Sequence, residues 1–306
     1  MQFSPIILFA YNRPSHLNAS LSSLVANVEA RESVLYVFSD GPRSKDSIAP
    51  VKEVREIIKS ISGFAKVVPY YREENWGLAK SVISGVTQVL NEHDRAIIVE
   101  DDLRVSPYFL DFMNRGLKQY EYRDRVASLC GYFYPLKQKL PETFFLREAD
   151  CWGWATWRRG WELFKNDGTE LLTKLEVRGL ERDFDVQGSY PYTQMLRDQV
   201  NGKNNSWAIR WQASLFLADK LTLYPGKSLV ANLGFDNSGE HCSTTTVFDT
   251  QISNMPIKLD GVAVEENKTI EGWTADYFRR IQRQSKPGFL SRIKGGLRKR
   301  FLTKPS

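Results

Sequence analysis

The chain has 306 residues, with 42 Lys plus Arg against 36 Asp plus Glu, a formal net charge of +6 and three cysteines. A composition of 42% hydrophobic and 25% charged residues is that of a globular protein and excludes disordered, collagen-like and disulfide-scaffold classes. Cys130, Cys151 and Cys242 show no CxxC spacing, which disfavours a zinc knuckle and favours a reducing compartment.

In chain order, Pro5 to Ala10 is an apolar run far shorter than the roughly 18 residues that span a bilayer, and Arg13-Pro14 follow at once. It reads as a first strand rather than an anchor or signal peptide, so a cytoplasmic protein is expected. Helical periodicity runs from Ser15 to Val25. Val34 to Phe38 is a second strand ending at the turn Ser39-Asp40-Gly41-Pro42. Val51, Val54, Ile57, Ile58 and Ile61 have helical spacing, Ala65 to Tyr71 reads as a strand, Leu78 to Leu90 as a helix, and Arg95 to Val99 as a strand running into Glu100-Asp101-Asp102. Repeated βα units imply an α/β protein with a mostly parallel sheet flanked by helices, whose ligands bind beyond the carboxyl ends of the strands. The absence of GxGxxG and GxxxxGK[ST] after the first strand argues against a dinucleotide-dependent oxidoreductase or a P-loop NTPase. Past residue 103 come a helix over Pro107 to Tyr120, a strand near Val126 to Cys130, an aromatic-rich half, and a strand, turn and strand from Leu223 to Gly234.

Three consecutive carboxylates after an apolar strand raise one another's pKa unless a cation neutralises them. Mn²⁺ or Mg²⁺, sharing carboxylate and substrate phosphate oxygens, would remove that repulsion. The alternative is a solvated acidic turn, with Asp102 capping the helix that starts near Ser106-Pro107. Asp40 projects onto the same edge, where it can accept hydrogen bonds from a ribose or base; the alternative is a plain Asp-Gly turn. Arg13 and Lys80 are the cations best placed to meet nucleotide phosphates, or are surface charges.

Ile-Leu-Phe-Ala-Tyr-Asn-Arg-Pro at 7–14, Phe-Ser-Asp-Gly at 38–41, Glu-Asn-Trp-Gly-Leu-Ala-Lys at 74–80 and Val-Glu-Asp-Asp-Leu-Arg-Val-Ser-Pro at 99–107 resemble the GT-A-fold glycosyltransferases. The likeness is to the N-acetylglucosaminyltransferase I type and to bacterial family-2-like enzymes of polysaccharide assembly. It implies one Rossmann-like domain with a nucleotide-sugar half over residues 1–110, an acceptor half over 111–265 and a C-terminal helix and tail over 266–306. The acidic triplet corresponds to the DxD motif, so the resemblance gives Asp102 to the metal, Asp101 to the sugar or ribose, Glu100 to the donor side, and Arg13 and Asp40 to the nucleotide, with a UDP-sugar favoured. It implies hexosyl or N-acetylhexosaminyl transfer to a glycan or lipid-linked acceptor.

Four of the eight tryptophans fall within Cys151 to Trp161. Indole faces stack on sugar C–H faces, so Trp152 and Trp154 form a candidate acceptor platform, while Trp157 and Trp161, at i and i+4, are expected in the core. Trp207 and Trp211 share one face of a helix; Trp207 is placed with the acceptor, and Arg210, on another face, with the donor. Many resembling enzymes carry an Asp in this segment as general base, where this chain has Ala208 and Ile209. Asp198 is the preferred replacement, with Asp236 and Asp150 behind it. His241, in a small and polar run, is a second metal-ligand candidate, with a lone loop histidine as the alternative. Two other classes compete. A sugar nucleotidyltransferase would carry a glycine-rich basic loop where Tyr11-Asn12-Arg13-Pro14 stands. A membrane-surface carbohydrate-binding protein using the tryptophans would leave the acidic strand end unexplained.

The positive charge is concentrated in Lys286 to Lys304, which holds seven Lys or Arg and no acid and leaves the remainder close to neutral. Phe289, Leu290, Ile293, Leu297 and Phe301 recur at helical spacing between the basic residues, interrupted by Gly295-Gly296. The pattern fits an anionic membrane surface, as on the inner face of a membrane, with a frayed solvated tail as the alternative, and it fits nucleic acid less well, since the body shows no basic groove with interleaved aromatics. Truncation after Gln284 is expected to abolish co-sedimentation with anionic liposomes while leaving activity on a soluble acceptor; unchanged sedimentation would refute the tail as a membrane contact.

Overall fold

The computed structural model describes residues 3–235, 246–259 and 261–284. The chain runs β1 (Ile6–Ala10), α1 (Pro14–Val25), β2 (Val34–Ser39), α2 (Lys45–Lys59), β3 (Lys66–Tyr71), α3 (Gly77–Glu92) and β4 (Arg95–Glu100). It continues through β5 (Leu103–Val105), α4 (Phe109–Gln119), β6 (Val126–Cys130), β7 (Thr143–Leu146), β8 (Trp154–Trp157) and α5 (Arg158–Trp161). Then follow α6 (Gly168–Val177), α7 (Glu181–Phe184), α8 (Tyr192–Val200), α9 (Trp207–Leu217), β9 (Leu221–Pro225), β10 (Val230–Asn232) and α10 (Lys268–Gln284).

All five residues of β1 are buried because the strand lies between two parallel neighbours with helices over both faces, which is why it reads as an uninterrupted apolar run. Eight strands form one sheet in the order β3-β2-β1-β4-β8-β6-β9-β7. The pairs from β3 through β4 are parallel, β8 inserts antiparallel between β4 and β6, and β6 pairs parallel with β9. The expected α/β architecture, a mostly parallel sheet flanked by helices, is therefore present, and the sheet runs unbroken through both halves of the chain.

Side chains alternate across the sheet with period two. Ile6, Leu8, Val37, Ile97 and Val99 join the core with α1 and α4; Ile7, Phe9, Phe38, Ala96 and Ile98 join the opposite core with α3 and the tryptophans. Pro14 opens α1, where its missing N–H costs nothing. A third apolar cluster ties α6, α8 and α9 together through Leu171, Leu175, Leu196 and Ile209. The apolar face of α10, with Ile270, Ala275 and Phe278, closes the main core. Among the described residues no helix is long and apolar enough to cross a membrane.

The tryptophan-rich half departs from expectation. Because β8 is an internal strand, Trp154 points into the core and is only 1% exposed, stacked on Trp207 with ring centroids 5.5 Å apart and against Trp161 and Trp211. Trp154 and Trp207 are thus not an acceptor platform: burial denies a sugar either ring face. Trp157 and Trp161 are buried, as expected. Trp154→Ala is expected to cost about 3–5 kcal/mol, the usual range for emptying a buried aromatic site, measured as a lowered midpoint in urea denaturation.

Candidate functional site

The strand registers decide where the polar residues meet. Ala10 stands opposite Ser39, Phe9 opposite Glu100, and Ser39 opposite Tyr71, so the residues that follow these strands emerge along one edge. From β1 the chain crosses to β2 on one side, while β4 lies on the other, making the gap between β1 and β4 a topological switch point.

At that gap Arg13, just beyond β1, meets the acids beyond β4. Its guanidinium pairs with Asp101 and, at 3.0 Å, with Asp102 Oδ2. The backbone N–H of Tyr11 donates to the other Asp101 oxygen at 3.2 Å. Burial alone would lower the pKa of Arg13, but the two facing carboxylates outweigh it and raise the value. Arg13 does not neutralise the cluster in return: burial, then Asp102 and Asp101, push Glu100 up to about 8, and burial pushes Asp101 up to about 6 against the pull of Arg13. Asp102 does not cap the following helix. Its side chain faces Arg13, its carbonyl accepts from Leu233 N–H at 2.8 Å, and a Cβ at Gly234 would lie 2.4 Å from its Oδ2. Only glycine leaves this carboxylate room, a requirement visible only once residues 102 and 234 are brought together.

Asp40 is 6% exposed and works inside the fold. Its carboxylate accepts the backbone N–H of Trp76 at 2.9 Å and of Gly77 at 2.9 Å, and also that of Gly41. It therefore fixes the amino end of α3, where Gly77 has a φ of +71° that favours glycine. It also locks Trp76 beside the edge. That indole remains 37% exposed, with the Arg72 guanidinium 4.3 Å and the Lys80 ammonium 4.1 Å from its ring centre. Motif reading passed over Trp76, although it lies within the quoted stretch at 74–80 and is held beside this edge by Asp40.

The opposite wall comes from the segment before β8. Trp154 pairs with Ile98, so residues 150–153 run past the carboxyl end of β4. Asp150 Oδ1 accepts the Trp152 N–H at 2.9 Å, Asp150 N–H donates to Tyr224 Oη at 3.0 Å, and burial pushes the carboxyl up to about 6. Burial, then Asp150 and Glu100, raise the Cys151 thiol, which follows from its place between the two. Trp152 is half-buried, edge-on to Tyr132 at 4.6 Å and to Phe235 at 5.4 Å.

Other expected residues lie elsewhere. Asp198 is on the outer side of α8, hydrogen-bonded by Gln194 at 2.9 Å and Lys203 at 3.1 Å, and none of these contacts belongs to the strand edge. Arg210 is buried on α9 among Asn166, Asn205 and Ser206, away from the Arg13 cluster. Lys80 is exposed over Trp76. Asp236 and His241 lie outside the described residues.

No family model and no curated protein matches the chain. Among solved structures, S. aureus TarS aligns with a TM-score of 0.32 and 16% identity over 49% of this chain and 25% of that one. The 1–349 portion of TarS gives 0.35 and 13% over 52% and 47%. A nucleotide-diphospho-sugar transferase from Desulfovibrio desulfuricans G20 gives 0.34 and 10% over 55% and 69%. The chain thus spans a quarter of TarS and under half of its shorter form.

The raised carboxyls dictate a pH dependence. A carboxyl whose folded pKa is raised contributes stability that is present below its unfolded pKa and lost as pH rises through the folded value. For Glu100 and Asp101 that loss extends up to about pH 8 and about pH 6. Glu100→Gln is expected to raise the melting temperature at pH 8 and to flatten its decline between pH 6 and pH 8, read by differential scanning calorimetry; an unchanged slope would show that Glu100 does not carry the effect.

Proposed function

We propose that the protein is a glycosyltransferase that moves a hexosyl or N-acetylhexosaminyl group from a nucleotide diphosphate sugar, with UDP favoured by the sequence resemblance, to a hydroxyl of a glycan or lipid-linked acceptor. The observation that carries this reading is the Arg13–Asp101–Asp102 cluster with Glu100, held at the switch point of a parallel sheet. A diphosphate brought to this edge adds negative charge to carboxylates whose repulsion Arg13 already leaves uncancelled. Among the described residues no three acidic, His or Cys side chains converge as a metal cage, so Mn²⁺ or Mg²⁺ would be held by Asp102 together with substrate phosphate oxygens. Such an ion, when bound, supplies neutralisation of the departing diphosphate.

The chain's own residues do the rest. Arg13 holds Asp101 and Asp102 in place and keeps positive charge beside the phosphates. Asp40 fixes the amino end of α3 and with it Trp76, which carries the Arg72 and Lys80 cations beside the edge where the donor phosphates would come. Asp150 is the base in this reading: with a pKa of about 6 it is ionised at neutral pH yet basic enough to take the acceptor hydroxyl proton. The acceptor oxygen attacks the anomeric carbon, the bond from that carbon to the diphosphate oxygen breaks, and the bonding pair leaves with the diphosphate. An inverting course is part of this proposal, since a protein base serves direct displacement at the anomeric carbon. Trp152, beside Asp150, is the aromatic left to flank the acceptor.

A screen of nucleotide sugars by thermal shift is expected to find a donor that stabilises the protein only with Mn²⁺ or Mg²⁺ present, by about 2.7 kcal/mol at 100 times its Kd. Asp102→Asn is expected to abolish both that stabilisation and transfer with the fold intact. Asp150→Asn should keep donor stabilisation, lower kcat by about 10²-fold to 10⁴-fold and remove the acid limb of the pH profile near pH 6, whereas Asp198→Asn should retain wild-type activity. No stabilisation by any nucleotide sugar would overturn the reading.

A further inference from the structure

An open groove of about 710 Å³ runs between α3 and the amino end of α9. Its volume lies within the roughly 300–1,000 Å³ of ligand-binding pockets. One wall is a stripe of α3 side chains, Lys80, Ser84, Gln88 and Asn91; facing it are Asn166, Asn205 and Arg210. Hydroxyls and carboxamides offer both donors and acceptors, the pairing that sugar hydroxyls need.

Arg210 makes this more than a polar groove. It is 5% exposed, yet it bonds only neutral oxygens: the carbonyls of Ser206 and Asn166, the side chain of Asn166, and Asn205 Oδ1 at 3.2 Å. Among the described residues no carboxylate pairs with it, and burial lowers its pKa with no opposing charge. A buried guanidinium without a counter-ion is costly. Its place in the first turn of α9 sets it against the positive end of that helix dipole, and Lys80 stands likewise in the first turn of α3. Arg210 thus faces the groove with no negative charge paired to it, and after four bonds one of the five guanidinium N–H groups remains to donate. Glu92 lines the groove as well, at the carboxyl end of α3.

We propose that this groove is a second glycan site, continuing along α3 from the strand-edge crevice at Lys80, which takes a segment of acidic saccharide with its carboxylate or phosphate met by Arg210 and its hydroxyls met by the amides and Lys80. The saccharide class rests on the transferase reading; the anion requirement rests on Arg210 alone. In an enzyme that extends a polymer, such a site would hold a part of the acceptor remote from the reacting end.

The test is calorimetric titration of the full chain, without nucleotide sugar, with tetragalacturonate, mannose 6-phosphate, neutral maltotetraose and inorganic phosphate at fixed ionic strength. Tetragalacturonate or mannose 6-phosphate is expected to bind at least about tenfold more tightly than maltotetraose and inorganic phosphate, and which of the two binds identifies the anion. Lys80→Ala should weaken that binding several-fold, with an unchanged melting temperature, and Arg210→Gln should weaken it further. Should Arg210→Gln fail to fold, Lys80→Ala together with Gln88→Ala carries the test. Asp102→Asn should bind the saccharide like the wild type, which separates failure of the donor site from failure of the groove. Equal binding of maltotetraose, equal binding of inorganic phosphate, no binding at millimolar concentration, or indifference to Lys80→Ala would each overturn the proposal.

Discussion

The arrangement depends on one guanidinium held between two carboxylates. Arg13 leaves β1 and Asp101 and Asp102 leave β4, the two strands between which the crossover direction reverses. A gap of this kind exists in any doubly wound sheet, but here it is closed by a charge cluster that is not self-neutral. Burial is the first cause of the raised carboxyls of Glu100 and Asp101, and at Glu100 the neighbouring Asp102 and Asp101 add to it, so added positive charge would favour the ionised forms. The neighbouring parts serve that cluster: Gly234 leaves room for Asp102, Tyr11 N–H secures Asp101, and Asp40 braces α3 beside it.

The aromatic half makes a different use of residues that resemble binding groups. Trp154, Trp161, Trp207 and Trp211 are in mutual ring contact beneath the sheet and join α3, α5, β8 and α9 into one core. That packing positions both candidate sites. It fixes β8, whose preceding loop brings Asp150 and Trp152 to the strand edge, and it fixes α9, whose first turn carries Arg210 to the groove along α3. Residues expected at the surface to hold sugar instead hold the frame on which Asp150, Trp152 and Arg210 stand.

Legibility followed the range of the interaction. The strands β1, β2, β4 and β6 were readable because each is a short apolar run ended by a turn or a charge, and α1 and α3 because their apolar residues recur at helical spacing. Asp40 and the acidic triplet stood out because charge directly after a buried strand is locally anomalous. The position of Asp150 beyond β4 was not readable, since it depends on the antiparallel register of β8 against β4. The same holds for Trp154: a Trp-Gly-Trp turn looks alike whether the second indole enters a sheet or faces solvent.

The sequence by itself therefore determined the βα rhythm, the edge on which polar chemistry gathers and the acidic end of β4, because these follow from periodicity and from the cost of adjacent like charges. Tertiary structure alone decided that Arg13 answers that charge, that Trp154 and Trp207 are frame rather than platform, that Asp150 stands beyond the carboxyl end of β4, and that Arg210 is buried with no carboxylate partner among the described residues. Each of these is a contact between segments far apart in the chain, and burial, which sets the pKa of a carboxyl and the availability of a ring face, is a property of the assembled sheet and not of any stretch of residues.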